Sequence, residues 1–255
     1  MADQKKRIVL KIGTSTLTAG SSRISRGKVE DVAIQLNELK DSCEIILVSS
    51  GAIAAAKQYA EMRNLASIGV KQALAAIGQV HLMRIFQEVF SDYNIAVSQC
   101  LLSYLDFNNE DSKTNITNTI ETLLQYGYLP IINENDTVAT DEIKFGDNDK
   151  LAALTASLCK ADLLVLATDT KGLYSSDPKL DPQAKLITEV KDLTSYLDTV
   201  TESKSNQGSG GMKSKLEAAA LAQSKGIPTW ILPGGPSKFL IKALNQELEF
   251  TKVLG

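Results

Sequence analysis

Residues 132–149 read INENDTVATDEIKFGDND, six carboxylates and one lysine placed directly behind the apolar run YLPII. A solvated acidic loop is the plain reading of so much like charge. Three other stretches, however, supply the opposite sign or anion-binding backbone. KIGTSTLTAG sets Lys11 beside Gly13, Thr14, Ser15 and Thr16. A lysine ending an apolar strand is costly to bury unless its ammonium meets an anion, and a glycine followed by hydroxyls offers the donors of a phosphate cradle. The alternative is a strand-end lysine reaching to water. VSSGAIAAAK places Ser49, Ser50 and Gly51 ahead of an alanine-rich helix, where they attract a carboxylate or phosphate, or simply cap the helix. QGSGGMKSKLEAA sets Gly208, Ser209, Gly210 and Gly211 before a helix beginning near Met212, with Lys213, Ser214 and Lys215 in its first turn. Lysines there oppose the helix macrodipole. A bound polyanion resolves the conflict; a flexible Gly/Ser loop is the alternative.

Within the acidic stretch, GDNDKLAAL puts Asp147, Asn148 and Asp149 at the start of another helix, where Asp and Asn are favoured caps. One cap still leaves Glu134, Asp136 and Asn148 without a role. A site that holds an ammonium group and phosphates together needs carboxylates and lysines as near neighbours, and that is the inventory. Other chemistries are poorly supplied. Neither a Walker A loop (G-x-x-x-x-G-K-[ST]) nor G-x-G-x-x-G occurs. Cys43, Cys100 and Cys159 are odd in number and widely spaced, which reads as buried free thiols in a reducing compartment. His81 is the single histidine and shares a helical face with Val70, Leu74 and Ile77, so it reads as a packing or interface residue. A His/Cys zinc site is excluded on that count, and a Ser-His-Asp machine would have to use His81.

Elements must bring these stretches together. RIVLKIG, EIILVSSG, IAVSQCLL, YLPIINEND, DLLVLATD and PTWILPG read as strands, rich in Ile, Val and Leu and ending in Gly, Asn, Asp or Ser. Helical periodicity covers 25–40, 52–63, 70–90, 112–125, 148–160 and 211–225, while 138–145 and 172–197 read as hairpins or surface loops. Near-continuous apolar strands alternating with helices predict a mainly parallel sheet covered on both faces, in one αβα domain spanning 1–255. In such sheets ligands bind beyond the carboxyl ends of the strands. Lys11 and Gly13, Ser50 and Gly51, Asn133 to Asp136, and Thr168 and Asp169 all fall there. A length of 255 residues allows a sizeable core. The net charge of −3, with no Lys/Arg run of five, lacks the footprint of a nucleic-acid binder. No apolar stretch approaches the roughly 18 residues of a membrane span, and the N-terminus does not read as a signal peptide, so a cytoplasmic location is expected.

In order, VLKIGTS, VSSGAIAAA, VKQALAAIGQ, INENDTVAT, IKFGDND, ATDTKGLYSSDP and GSGGMKSK resemble the glutamate 5-kinase (γ-glutamyl kinase) family of the amino acid kinase superfamily. INEND with GDND is specific within the superfamily, whereas KIG and GGM-x-[ST]K mark only an amino acid kinase. The resemblance implies a three-layer αβα sandwich on an eight-stranded, mainly parallel sheet. It implies transfer of the ATP γ-phosphoryl group to the side-chain carboxylate of L-glutamate, the first step of proline biosynthesis. By the same resemblance Lys11 and Lys215 would neutralise the moving phosphoryl group and Asp149 would orient them. Ser50, Gly51, Asp136 and Asn148 would hold glutamate. Lys11, Gly13, Thr168, Asp169 and the run Ser209, Gly210, Gly211, Met212, Lys213, Ser214 and Lys215 would hold ATP. Mg²⁺ would ride mainly on the phosphates, with no protein ligand named. Feedback inhibition by proline and a homo-oligomer are also implied. Ala56 and Ser214 replace the family's usual Gly and Thr. The small RNA-binding-like (PUA) domain of many members has no counterpart in the stretch read, so a catalytic domain alone is expected. Aspartate- or N-acetylglutamate-type kinases of the same fold, and a non-catalytic amino-acid sensor, are the alternatives.

Overall fold

The structure, a computed structural model, describes residues 5–138, 148–178, 180–197 and 211–255. Its strands are β1 (Lys6–Ile12), β2 (Cys43–Ser49), β3 (Ala96–Leu102), β4 (Tyr128–Glu134), β5 (Leu163–Thr168), β6 (Glu189–Val190), β7 (Thr229–Pro233) and β8 (Thr251–Val253). Its helices are α1 (Thr14–Thr18), α2 (Arg26–Leu39), α3 (Ala52–Ala56), α4 (Ile68–Ser91), α5 (Glu110–Gln125), α6 (Asp149–Leu158), α7 (Thr194–Leu197), α8 (Met212–Gln223) and α9 (Phe239–Leu244). A 3₁₀ turn occupies Tyr104–Asn108.

The described strands form one eight-stranded sheet in the order β3-β4-β2-β1-β5-β7-β8-β6. Neighbours are parallel except β7 and β8. The pleat explains why the strand sequences are apolar at nearly every position. Along β1, Ile8, Leu10 and Ile12 enter a core layer with Val29, Val32 and Leu36 of α2 and Leu82, Phe86 and Phe90 of α4. Val9 enters the opposite layer with Leu151 and Ala152 of α6 and Leu216 and Ala219 of α8. Each fully buried Leu, Ile or Phe contributes about 1.5–3 kcal/mol, so both faces hold β1 in the middle of the sheet. Because β1 has β2 on one side and β5 on the other, the chain reverses its direction of travel across the sheet there, and a crevice opens at the strand ends.

Two differences from the sequence reading concern element lengths. The helix expected over 52–63 ends at Ala56, because the chain has to turn back to begin α4, and Asn64 takes a left-handed φ of 58° on the way. β6 and β8, of two and three residues, carry too few positions to show periodicity. The hairpin expected over 138–145 lies outside the described residues beyond Val138. In 172–197 the hairpin reading corresponds to an antiparallel bridge between Tyr174 and Leu186, followed by β6 and α7. His81 stacks on Tyr59, ring centroids 3.6 Å apart, a packing role. Cys43 and Cys159 are buried free thiols and Cys100 is half-buried.

Candidate active site

Parallel register delivers the polar strand ends to one edge. Ile12 aligns with Ser49 on one side and Ala167 on the other, and Val48 aligns with Ile132. On that edge α6 and α8 pack together through Ala152, Ala153, Ala156, Ala218, Ala219 and Ala222, all buried. Side chains this small let the two helix starts approach closely. Lys215 Nζ lies 2.9 Å from Asp149 Oδ2, and Lys11 Nζ lies 2.6 Å from Oδ1. Ser214 Oγ donates to Oδ2 at 3.2 Å. Asp149 is fully buried, and Lys11 and Lys215 are 4% and 6% exposed.

Burial alone pushes the Asp149 carboxyl up, but the charges and hydrogen bonds of Lys11 and Lys215 outweigh it and hold the group well below its ordinary 3.8. Two ammonium groups meet on this carboxylate in a weakly screened place, and an anion at the strand ends is attracted to them. This arrangement decides between the readings left open for Asp149. Asp149 is not a cap: Asn148 occupies the N-cap position of α6 with no side-chain capping bond, and the Asp149 side chain turns to the lysines instead. At the start of α8, Lys215 pairs with Asp149, as the resemblance implies. Gly13 borders the same charge, since a Cβ there would sit 3.5 Å from Lys11 Nζ.

A neutral network adjoins the cluster. Asn148 Nδ2 donates to Ser49 O at 2.6 Å and to Asn133 Oδ1 at 2.7 Å. Asn133 Nδ2 donates to Gln79 Oε1 at 2.7 Å. Gly51, not a serine, is the N-cap of α3, at a φ of 102° that favours glycine. Ser50 N donates to Ile12 O at 3.1 Å, tying the β2–α3 turn to β1. Beyond β4, burial pushes Asp136 up to about 6. Burial first, then Asp136 and Asp106, push Glu134 up to about 8. Gln79 escaped sequence reasoning because a glutamine in an apolar helical stripe reads as a tolerated core residue.

On the far side of β1, Thr168 Oγ1 donates to Asp169 Oδ1 at 3.1 Å, and Gly234 N donates to Thr168 O at 2.7 Å. Gly211 is extended and leads into Met212, Lys213, Ser214 and Lys215. Ser209 and Gly210 lie outside the described residues. The structure therefore joins Lys11, Asp149, Lys215 and Ser214 by direct contact, and Asn148 to the β2–α3 turn. Asp136, Thr168 and Asp169 sit on the same edge at the ends of β4 and β5.

A parallel αβα sheet that collects buried lysines on one carboxylate at its strand ends is a framework for handling a phosphorylated ligand. The chain belongs to the amino acid kinase family, whose profile matches residues 6–233. Among its relatives, a glutamate 5-kinase of Dehalococcoides mccartyi (strain CBDB1) is 44% identical over 255 residues, 98% of this chain and 68% of that protein. A glutamate 5-kinase of Vibrio vulnificus (strain YJ016) is 41% identical over 256 residues, 99% of this chain and 68% of that protein. The chain thus spans about two thirds of the length of these relatives. Among solved structures, the UMP kinase of Ureaplasma parvum superposes with a TM-score of 0.68 at 16% identity, covering 99% of this chain and all of that one. An isopentenyl phosphate kinase superposes at 0.65 with 17% identity, covering 97% of this chain and 99% of that one. The structural likenesses establish the shared fold.

Proposed function

We propose that this chain transfers the γ-phosphoryl group of ATP to the side-chain carboxylate of L-glutamate, forming L-glutamyl 5-phosphate and ADP, the first step of proline biosynthesis. The observation that carries the reading is the buried Lys11–Asp149–Lys215 cluster, held at the strand ends of a chain similar throughout its length to glutamate 5-kinases.

The chemistry asks little of a base. A glutamate side chain is already ionised near neutral pH, so one of its oxygens attacks the γ-phosphorus while the bond to the ADP oxygen breaks. Positioning and charge carry such transfers. Lys11 and Lys215 offset charge on the migrating group, and Asp149 fixes both ammonium groups before the reactants arrive. Ser50, Gly51, Asn148 and Asp136 hold glutamate. Gly13, Thr168, Asp169, Ser209, Gly210, Gly211, Met212, Lys213 and Ser214 hold ATP beside the two catalytic lysines. Both Asp149 oxygens face ammonium groups, which suits Mg²⁺ carried on the nucleotide phosphates rather than on a carboxylate of the cluster. There it would supply further charge neutralisation.

The reading extends to inhibition by proline, a cytoplasmic setting and a homo-oligomer. Among the described residues no helix is long and apolar enough to cross a membrane. Trapping acyl phosphate with hydroxylamine tests the activity. L-glutamate should give hydroxamate, with L-aspartate and N-acetyl-L-glutamate poor by comparison, and no hydroxamate from L-glutamate would overturn the assignment. Millimolar proline should slow the glutamate reaction, and an unchanged rate would remove that part of the proposal.

A further inference from the structure

Behind Asn148 stands a line of side-chain amides whose directions are set by backbone groups. Ser49 O can only accept, so the Asn148 atom that meets it at 2.6 Å is Nδ2. Glu134 N can only donate, so the Asn133 atom that meets it at 2.9 Å is Oδ1. Asn133 Oδ1 also accepts from Asn148 Nδ2 at 2.7 Å, which commits both hydrogens of that amide. Only Oδ1 of Asn148 is left to meet a ligand, as an acceptor. Asn133 Nδ2 then needs an acceptor of its own, and Gln79 Oε1 supplies it at 2.7 Å. Alternation along β4 puts Asn133 on the face of Leu129 and Ile131, which pack in the layer that also holds Leu82 and Phe86 of α4. Gln79 of α4 therefore meets Asn133 within one layer.

Gln79 is an odd residue for its place. It is 9% exposed on a helix whose other buried positions include Leu74, Leu82 and Phe86. Its level on α4 is set by the neighbouring Gly78, which leaves no room for a Cβ against Ala52 of α3. Of its two polar atoms, Oε1 is used and Nε2 is buried without a partner. With its donor idle, the contribution of Gln79 is its acceptor. Asn133 is 2% exposed, so bulk water does not take over that part. A cavity of about 260 Å³, bounded on α4 by Ala75, Ala76, Gln79 and Val80, adjoins the pair. It gives the Asn133 amide somewhere to swing once the acceptor is removed.

We propose that Gln79 is a positioning residue for phosphoryl transfer: its Oε1 locks Asn133, Asn133 locks Asn148, and Asn148 is thereby held with Oδ1 as the atom offered to the ligand. The inference rests on the kinase reading and deepens it with a residue that touches neither reactant and acts through two asparagines. Without the acceptor, Asn133 Nδ2 is a buried donor left unanswered, a state that a side chain escapes by moving. Asn148 then keeps only one of its two anchors, Ser49 O. The consequence falls on glutamate, which Asn148 holds, and not on ATP, because Thr168 and Asp169 lie at the end of β5, across β2 and β1 from β4.

Gln79→Met and Gln79→Glu separate the acceptor from the shape. Methionine keeps the length and removes the amide, whereas glutamate offers Asn133 Nδ2 an acceptor in either protonation state and removes the idle donor. In Gln79→Met, KM for glutamate should rise about tenfold, the scale of one lost hydrogen bond, while KM for ATP holds and kcat falls by less than KM rises. Gln79→Glu should bring KM for glutamate back to within about twofold of wild type. A residue needed only for packing predicts the reverse ranking, since methionine suits an apolar helix face better than a carboxyl group. NMR of the wild type labelled with ¹⁵N-asparagine needs no variant to fold and no turnover. The side-chain amides of Asn133 and Asn148 should exchange hydrogen with water far more slowly than those of the exposed Asn115 and Asn118 of α5. A Gln79→Met enzyme with the wild-type KM for glutamate, a Gln79→Glu enzyme as impaired as Gln79→Met, or fast exchange at both asparagines overturns the relay. Slow exchange at both with no acyl phosphate formed by the wild type overturns the kinase reading and leaves the locked amides standing.

Discussion

Asp149 makes the sharpest demand at the scale of single residues, because removing its charge takes an ion-pair partner from two buried lysines at once. Asp149→Asn leaves Lys11 and Lys215 facing each other across a neutral amide. Breaking a buried ion pair typically costs about 3–5 kcal/mol, and urea denaturation at pH 7 should register a loss on that scale. The acid limb checks the cause. A carboxylate whose folded pKa is depressed stabilises the protein above its unfolded value and loses that contribution as pH falls through the folded one. The wild-type advantage over Asp149→Asn should thus be full above about pH 4 and decline below the ordinary 3.8. Lys215→Ala should instead act on rate, lowering turnover by roughly 10²- to 10³-fold, and near-normal turnover would remove Lys215 from the mechanism. Glu134 carries the opposite sign. Its folded pKa lies above the unfolded one, so burial as a carboxylate destabilises progressively from about pH 4.5 to about 8. Without substrate, Glu134→Gln should melt above wild type at pH 8, with the gap closing towards pH 4.5. The types and positions of Lys11, Asp149 and Lys215 were legible in the sequence as a strand-end lysine, a helix-start acid and a helix-start lysine. Their pairing came only with the family resemblance, because the residue pattern alone does not show how closely α6 and α8 approach.

Elements set that approach, and glycine decides it at one crossing. Where α4 passes α3, a Cβ on Gly78 would lie 1.7 Å from Ala52 O and 2.8 Å from Ala56 N. Gly78→Ala must therefore push α3 away from α4. Overpacking of this kind costs roughly 1–3 kcal/mol, and the displacement passes to Gly51 and Ser50 at the start of α3, so KM for glutamate should rise along with the loss in thermal stability. Gly69, in the same helix, has nothing within 4 Å. Gly69→Ala should leave both quantities unchanged or gain up to about 1 kcal/mol from helix propensity. If the two substitutions behave alike, the close crossing is not what holds α3. The six long strands were legible from their apolar runs, since two-sided burial removes any polar alternation, and the helices α2, α4, α5, α6 and α8 from their period. What stayed hidden depends on tertiary contact: the early end of α3, the two-residue β6 and three-residue β8, and Gln79, whose amide has meaning only opposite Asn133.

The sheet as a whole ends differently on its two sides among the described strands. One edge is β6, two residues long and presenting little backbone to another chain. The other is β3, seven residues long and paired only with β4. A long edge strand offers a row of backbone donors and acceptors to a neighbour unless charge, proline or a bulge blunts it. AVSQCLL contains none of the first two. Beside it, Leu101 is 39% exposed and Val80 of α4 is 70% exposed, and both border the same cavity. A strand edge left unpaired among the described residues and flanked by exposed apolar side chains suits a self-associating face, and a second copy supplies the matching edge by symmetry. The expected outcome is a light-scattering mass that is a multiple of the 27.5 kDa chain. Leu101→Lys, which sets a charge on that edge, should shift the mass towards a single chain at the same concentration. Val80→Asp on α4 should do the same independently, because the face includes helix as well as strand. A wild-type mass of one chain across the accessible concentration range would show that β3 is protected in some other way. A multimer untouched by either substitution would move the contact to another face of the molecule.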